Sequence, residues 1–183
     1  MEARERSSKT PVIVLDEFFA LDRSRSTDAP RDRRFALDPD AARFFGWTVE
    51  QARSQPDSHY VEEIRRAARE WREGTCFSLT IQRRSDGEPV GSVQLRPRSG
   101  GSDGEFDLAY MVGAELRGRG LAPMAVEAVL AWGACELGLR RAHVSCHVDN
   151  VASRRVAEKC GFVFAARDGD ELRFRRDIDL AKR

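Results

Sequence analysis

The most informative chemistry in the sequence lies in the Arg-Gly-Arg-Gly stretch at residues 117–120, which comes just before a helical pattern beginning at Leu121. The two glycines allow the backbone to come close to a ligand, and the first turn of a helix adds unpaired N–H groups and a positive dipole end. Pro123 fits this turn, and the first acid, Glu127, comes a full turn later. The stretch therefore predicts an anion-binding site, here called the cradle, formed by the backbone of residues 117–122. Both arginines would lie on its rim, and its expected ligand is a diphosphate.

The spacing of the two glycines limits which diphosphate loop this is. The stretch does not read G-x-x-x-x-G-K-[ST], which excludes a Walker-type nucleotide loop. Pro123 stands where the third glycine of G-x-G-x-x-G would be, which excludes the dinucleotide-binding loop. A glycine pair is also common in an ordinary tight turn before a helix, and taken alone the pattern favours that simpler interpretation.

The elements that must position this stretch form a mixed α/β domain. Residues 75–112 alternate as a three-stranded antiparallel meander, with Asp86-Gly87 as a hairpin turn. The elements predicted after the meander are a helix over 121–137, a strand over 141–148, a helix over 150–159 and a closing hairpin over 162–164 and 172–174. Those predicted before it are a short strand at 12–15, a loop or ragged helix at 22–34, a helix at 40–45 closed by Gly46, and a helix from Asp57 that ends at Gly74.

The composition limits the class of protein. The chain has 183 residues, of which 41% are hydrophobic and 33% charged, with a mean hydropathy of −0.53. This predicts a single domain over residues 11–183 behind a flexible tail at 1–10. No apolar run reaches about 18 residues, so no membrane span is expected, and the polar start without a signal region predicts a cytoplasmic protein. A net charge of +1 argues against a DNA partner.

The cysteines and histidines do not predict a metal site. The four cysteines, at 76, 135, 146 and 160, include no C-x-x-C pair and are expected to be free thiols. His143 and His147 would lie about 13 Å apart on a strand, too far to share one ion.

Two stretches carry a resemblance to a known family. Residues 112–122 resemble the acetyl-CoA pyrophosphate loop of the GNAT superfamily of N-acetyltransferases, Q/R-x-x-G-x-G/A, with Glu115 in its first position. Residues 149–162 contain N-x-x-S-x-x-x-x-E-K-x-G-F and are similar to the RimJ/RimL branch; residues 42–47 and 87–93 are also similar to the family. The resemblance implies a mostly antiparallel sheet with helices on both faces, whose strands splay around a CoA-binding opening.

The resemblance also implies which residues bind acetyl-CoA as the co-substrate, without a metal. The oxyanion of the reaction would meet a backbone N–H near Met111 or Val112, where family members have a β-bulge. Asn150 either contacts the cofactor or simply caps its helix. The implied cofactor-binding residues are Met111, Val112, Arg117, Gly118, Arg119, Gly120, Leu121, Ala122, Asn150 and Ser153.

The catalytic residues implied by the resemblance are two carboxylates and one hydroxyl. Asp107 is the predicted proton acceptor for the attacking amine, and Glu105, on the same strand face, is the second candidate. The alternative is that both line the solvated face of a strand. Many family members carry a tyrosine where this chain has Ala157, so Ser153 is predicted to donate a hydrogen bond to the departing thiolate, with helix capping as its alternative role.

The function implied is transfer of an acetyl group from acetyl-CoA to a primary amine by direct attack. The acceptor would be a protein N-terminus or a small-molecule amine, with aminoacyl-tRNA as a further alternative, and the enzyme a monomer or a homodimer. The alternative is a non-catalytic module of the same fold that binds acyl-CoA as a sensor or interaction partner.

Overall fold

A computed structural model describes residues 12–179; the predicted tail at 1–10 lies outside the described residues. Within these residues the strands are β1 (Ile13–Val14), β2 (Phe19–Arg23), β3 (Phe77–Arg83), β4 (Pro89–Pro97), β5 (Glu105–Val112), β6 (Arg141–His147), β7 (Val163–Asp168) and β8 (Glu171–Asp177). The α-helices of the same range are α1 (Ala29–Ala36), α2 (Pro39–Phe45), α3 (Val49–Ser54), α4 (Asp57–Glu73), α5 (Leu121–Leu137) and α6 (Val151–Lys159).

The strands form one sheet in the order β1-β2-β3-β4-β5-β6-β8-β7. Every neighbouring pair is antiparallel except β5 and β6. The mixed α/β class and the mostly antiparallel sheet predicted from the sequence are therefore confirmed.

Helices cover both faces of this sheet. Helix α5 packs its buried side chains against one face, where strand and helix residues share a continuous apolar core that includes Leu79, Val93, Leu95, Leu108, Val126, Val129, Leu130 and Val144. On the other face, the buried Asp28 at the start of α1 accepts a hydrogen bond from Thr80 of β3. None of the helices in the described part of the chain is long and apolar enough to cross a bilayer.

The region before the meander is more ordered than the sequence predicts. Residues 22–34, expected to be a loop or ragged helix, include the end of β2 and most of α1. Strand β2 and helix α3 are not predicted at all. β2 forms because its neighbours β1 and β3 pair with it on both edges, and such pairing partners leave no periodic signal in a five-residue stretch.

The sheet opens between its two parallel strands. β5 pairs with β6 only over Glu105–Asp107 and Arg141–His143, and from Leu108 onward the two strands are unpaired. β6 instead pairs along its whole length with β8. This divergence is the predicted splay.

The bulge expected at Met111 or Val112 is absent from the pairing of β4 with β5. Their register runs without a shift from Gly91↔Val112 to Pro97↔Phe106. That prediction is wrong for these two strands, because the change of direction comes from β6 leaving β5 and not from an extra residue in β5.

Candidate functional site

The Gly-rich stretch forms an open cradle at the N-terminus of α5. Gly118 and Gly120 both have positive φ, 76° and 84°, and a Cβ on either would meet no atom within 4 Å. The backbone N–H groups of residues 118–122 donate to no acceptor within residues 12–179. The first turn of α5 contains no acidic residue, so this row of donors faces open space without a carboxylate to occupy it.

The two arginines of the stretch have different surroundings. The Arg117 Nε donates to the Val112 carbonyl at 3.2 Å, and its terminal nitrogens reach carboxylates of Asp38 at 2.6 Å and Asp40 at 2.9 Å. Its backbone N–H also donates to Ala114. Acids at the start of α2 therefore already hold the guanidinium of Arg117, one of the two arginines predicted for the rim.

Arg119 is exposed and makes no hydrogen bond or ion pair with another described residue. It lines a cavity of about 410 Å³ together with Leu116, Leu121 and the β1–β2 turn. A second cavity, of about 350 Å³, includes Gly120, Pro123 and Lys159 in its lining. The groove of Arg119 also includes Arg83, Asp16 and Glu17, and that of Lys159 includes Glu127. An anionic ligand would therefore meet a cationic side chain in each groove, next to acidic ones.

Two hydroxyl groups meet where the first turn of α6 contacts β5, beside the opening between β5 and β6. The Tyr110 hydroxyl lies 3.0 Å from both the Oγ and the carbonyl oxygen of Ser153. Burial raises the pKa of Tyr110 to about 12, although its hydrogen bond with Ser153 works in the opposite direction. The sequence pattern places Tyr110 only in a strand, because alternation does not show which side chain faces a helix distant in sequence.

The start of α6 is capped as its sequence predicts. The Asn150 side chain accepts a hydrogen bond from the Ser153 backbone N–H at 3.0 Å. Asn150 is therefore the N-cap, whereas the Ser153 hydroxyl is not used for capping and points to Tyr110. Ala157 is 2% exposed and belongs to the core, so a tyrosine ring at this position would have no space.

The backbone at the end of β5 also faces the opening. Gly113 donates its N–H to the Val90 carbonyl of β4. Because hydrogen-bonding directions alternate along an antiparallel strand, Met111 also turns its N–H toward β4, whereas Val112 turns its N–H toward the gap beside β6. Of the two residues predicted for the oxyanion, Val112 is the one with a donor in the opening.

The two predicted carboxylates lie on the face of β5 opposite Tyr110. Asp107 forms an ion pair with Arg98 and its side chain remains 47% exposed. Glu105 is 17% exposed and pairs with Arg141 at 3.2 Å and His143 at 3.0 Å. The two groups thus share a face, as predicted, but differ in accessibility.

Helix α2 borders this second face. Arg43 forms an ion pair with Asp149, which directly precedes the N-cap of α6, at 2.6 Å. The Phe44 ring lies 6.2 Å from the His147 ring at the open end of β6. Helix α2 therefore contacts the open end of β6 and the start of α6, four residues along β6 from His143, which pairs with Glu105.

The cysteines show no sign of joint ligation. Cys76, Cys146 and Cys160 are buried thiols and Cys135 is exposed, all unpaired. Across residues 12–179 no group of three or more His, Cys, Asp or Glu side chains is arranged to hold a metal ion.

Comparison with known proteins gives a family and a fold. Residues 19–163 match the family model described as an acetyltransferase (GNAT) domain. No curated protein matches the sequence.

Solved structures resemble the chain over most of its length. One is the RimL ribosomal L7/L12 α-N-protein acetyltransferase in complex with coenzyme A, with a TM-score of 0.79 at 17% identity, covering 92% of this chain and 99% of that one. Another is the microcin C7 self-immunity acetyltransferase MccE with acetyl-CoA and AMP, with a TM-score of 0.76 at 16% identity over 92% and 98%. A third is Mycobacterium smegmatis RimJ, with a TM-score of 0.72 at 20% identity over 87% and 81%.

Proposed function

The chain belongs to the acetyltransferase (GNAT) family, and from this premise we propose that this acetyl-CoA-dependent N-acetyltransferase acts on the free amine of a protein N-terminus. The observation that carries the acetyl-CoA part of the proposal is the opening between β5 and β6, beside the row of backbone N–H groups at residues 118–122 that have no described acceptor. The row suits the diphosphate of acetyl-CoA, and the opening gives its thioester a way through the sheet.

The cofactor side of the proposal uses backbone groups more than side chains. The N–H groups of residues 118–122 would hold the diphosphate, with added attraction from Arg119 and Lys159 in the neighbouring grooves. Arg117 would act through its bonds to Asp38, Asp40 and Val112, which fix the loop's shape. The Val112 N–H is in a position to stabilise the oxyanion that forms when the amine attacks the carbonyl.

The amine side would supply the proton acceptor. The amine must be neutral to attack, and Asp107 would take its proton through water, because it lies five residues before Val112 on an extended strand. Glu105 is the second candidate. The greater exposure of Asp107 favours it, because Glu105 is enclosed by its pairs with Arg141 and His143.

The leaving-group side would stabilise the departing thiolate. Ser153 lies in the first turn of α6, where the helix dipole favours negative charge. A hydrogen bond from its hydroxyl to the sulfur would be enough, because thiols are acidic enough to leave as anions, the reference pKa of a cysteine thiol being about 8.5.

The acceptor class draws support from the solved neighbours. RimL is described as an acetyltransferase of the ribosomal L7/L12 α-amine, which favours a protein N-terminus here. MccE is described as a self-immunity acetyltransferase, and a small-molecule amine is therefore the outcome against which the proposal is tested.

The test offers purified protein a panel of acceptors with acetyl-CoA: peptides with a free N-terminus, the same peptides with a blocked N-terminus, and small primary amines. Thiol release and mass spectrometry of the products measure the transfer. We expect acetylation of the free peptides and none of the blocked ones. Transfer to small amines alone would overturn the acceptor class, and binding of CoA without turnover on any acceptor would favour the sensor alternative.

A further inference from the structure

The Tyr110 hydroxyl has one proton to donate but two acceptor oxygen atoms within hydrogen-bonding distance. It lies 3.0 Å from the Ser153 carbonyl oxygen and 3.0 Å from the Ser153 Oγ. The carbonyl oxygen can only accept, so that bond uses the single phenolic proton of Tyr110. The bond to Oγ can run in either direction, because each hydroxyl both donates and accepts.

These rules leave two arrangements of the pair. In the first, Tyr110 donates to the carbonyl oxygen and Ser153 donates its own proton back to Tyr110. In the second, Tyr110 donates to the Oγ, and the Ser153 proton is free to point into the opening. Only the second arrangement lets Ser153 donate a hydrogen bond to another group while its oxygen is still held in place.

We propose that Tyr110 is a positioning residue for acetyl transfer, which turns the Ser153 proton toward the sulfur as the thiolate departs. The inference rests on the role of Ser153 in the proposed function. It explains how the departing thiolate would be stabilised although position 157 holds a buried alanine, with no hydroxyl and no space for a tyrosine ring. In this enzyme a phenol would reach the same helix from strand β5.

The step needs no net proton transfer within the protein. The carbon–sulfur bond of the thioester breaks, its electron pair goes to sulfur, and the Ser153 hydroxyl donates a hydrogen bond to the new anion. The phenol of Tyr110 moves its hydrogen bond from the carbonyl oxygen to Oγ and keeps its proton. Its pKa of about 12 is consistent with this, since the phenol stays protonated at neutral pH.

The remaining group at Ser153 is the buried thiol of Cys146. Burial raises the pKa of Cys146, while a hydrogen bond from Ser153 acts in the opposite direction. A thiol is a weak donor and acceptor, so it competes poorly with the phenol for the Ser153 hydroxyl.

The sequence offers a matched control, because it contains only two tyrosines. Tyr60 is buried whereas Tyr110 is partly buried, and the Tyr60 hydroxyl donates to the Ala52 carbonyl at 3.0 Å within the helical region. We expect Tyr110→Phe to lower kcat by about 3- to 10-fold, the effect of one hydrogen bond, with KM for acetyl-CoA unchanged. We expect Tyr60→Phe to leave kcat unchanged.

A double-mutant cycle tests whether Tyr110 acts through Ser153. We expect Ser153→Ala to lower kcat by about 10- to 100-fold, and the Tyr110→Phe change to have no further effect in that background. If the two effects multiply instead, Tyr110 acts independently and the inference is overturned. If Ser153→Ala lowers kcat and Tyr110→Phe does not, the inference fails while the proposed function stands. If Ser153→Ala has no effect, it is the proposed role of Ser153 that fails.

A spectroscopic variant guards against a simple loss of packing. In a Tyr60→Phe background, biosynthetic incorporation of fluorinated tyrosine labels Tyr110 alone and preserves its shape. Fluorine lowers the phenol pKa, and a phenolate cannot donate to Ser153. We therefore expect the alkaline limit of kcat to move to lower pH with each added fluorine, in step with the phenol pKa measured by absorbance. An alkaline limit that stays in place would overturn the inference.

Discussion

The two faces of strand β5 carry side chains that differ in charge and in exposure to solvent. One face carries Asp107 and Glu105, each in an ion pair. The other carries Tyr110, which meets Ser153 through neutral hydroxyls at 3.0 Å. The faces differ in hydration as well, since the Asp107 side chain is 47% exposed whereas the phenol is buried enough to raise its pKa to about 12.

This difference follows from the charges that the proposed reaction would create. An amine that loses a proton is served by a carboxylate, which needs solvent or cationic partners to stay ionised. A departing thiolate is better served by neutral donors, because a carboxylate beside it would repel it. A single strand can serve both because its successive side chains point to opposite faces.

The largest effect is expected from a change that prevents acetyl-CoA binding, because the groups on both faces of β5 would act on this one substrate. Gly120→Asp places a carboxylate among the donors of residues 118–122, at a residue with a φ of 84°. We expect the variant to lose the thermal stabilisation by CoA, which for the wild type is about 2.7 kcal/mol at 100 times Kd, and with it all transfer. Differential scanning fluorimetry with and without CoA measures this.

Gly87→Asp is the matched control for this change. Gly87 has a φ of 72° and equally open surroundings in the β3–β4 turn, so it shares the backbone strain and the added charge. We expect it to keep the response to CoA. An unchanged response in Gly120→Asp would mean that the cradle is only a turn.

The next largest effect should separate the two carboxylates. We expect Asp107→Asn to lower kcat by about 10²- to 10⁴-fold with little change in Tm, since the Asp107 side chain is 47% exposed in its ion pair. The loss should shrink as pH approaches about 8, where more of an α-amine is neutral. Kinetics across pH measure this.

Glu105→Gln provides the contrast. Glu105 is more enclosed and pairs with both Arg141 and His143. We therefore expect Glu105→Gln to lower Tm more than Asp107→Asn does, and to lower kcat less. A larger kcat loss in Glu105→Gln than in Asp107→Asn would exchange the roles of the two residues.

A smaller effect should separate the two arginines of the cradle. We expect Arg117→Gln to destabilise the fold by about 1–3 kcal/mol, because Asp38 loses a charge-assisted hydrogen bond. We expect Arg119→Gln to leave Tm unchanged and to weaken acetyl-CoA binding about 2- to 5-fold, less at high salt. Thermal melts and calorimetric titration check both, and equal effects on CoA affinity would contradict the distinction.

The smallest effect at neutral pH concerns the contribution of the Tyr110 phenol to the free energy of unfolding. The pKa of Tyr110 is about 12 in the folded protein against 10.0 ordinarily, so its contribution is complete below pH 10 and is lost as pH rises through 12. We expect the free energy of unfolding to fall by about 3 kcal/mol less over this range in Tyr110→Phe than in the wild type. Denaturant titrations at several pH values measure the difference, and parallel curves would show that the phenol is not buried.

The sequence predicts the second half of the chain well and the first half poorly. Helix α5 begins and ends where its flanking glycines predict, and Asn150 caps α6 as expected. These features depend on residues close together in sequence. Strand β2 and helix α3 are missed because they are short, and β2 is stabilised by partners such as β3, more than 50 residues away.

The sequence by itself determined the elements of the second half and the donor row at residues 118–122, because turn chemistry, capping and hydrophobic periodicity act over a few residues. Only the tertiary structure decided which side chains are available there. It binds Arg117 to Asp38 and Asp40, 79 and 77 residues away, and leaves Arg119 free of described partners. It also brings Tyr110 to Ser153 across the opening. Such contacts arise from packing between remote segments, which no local pattern encodes.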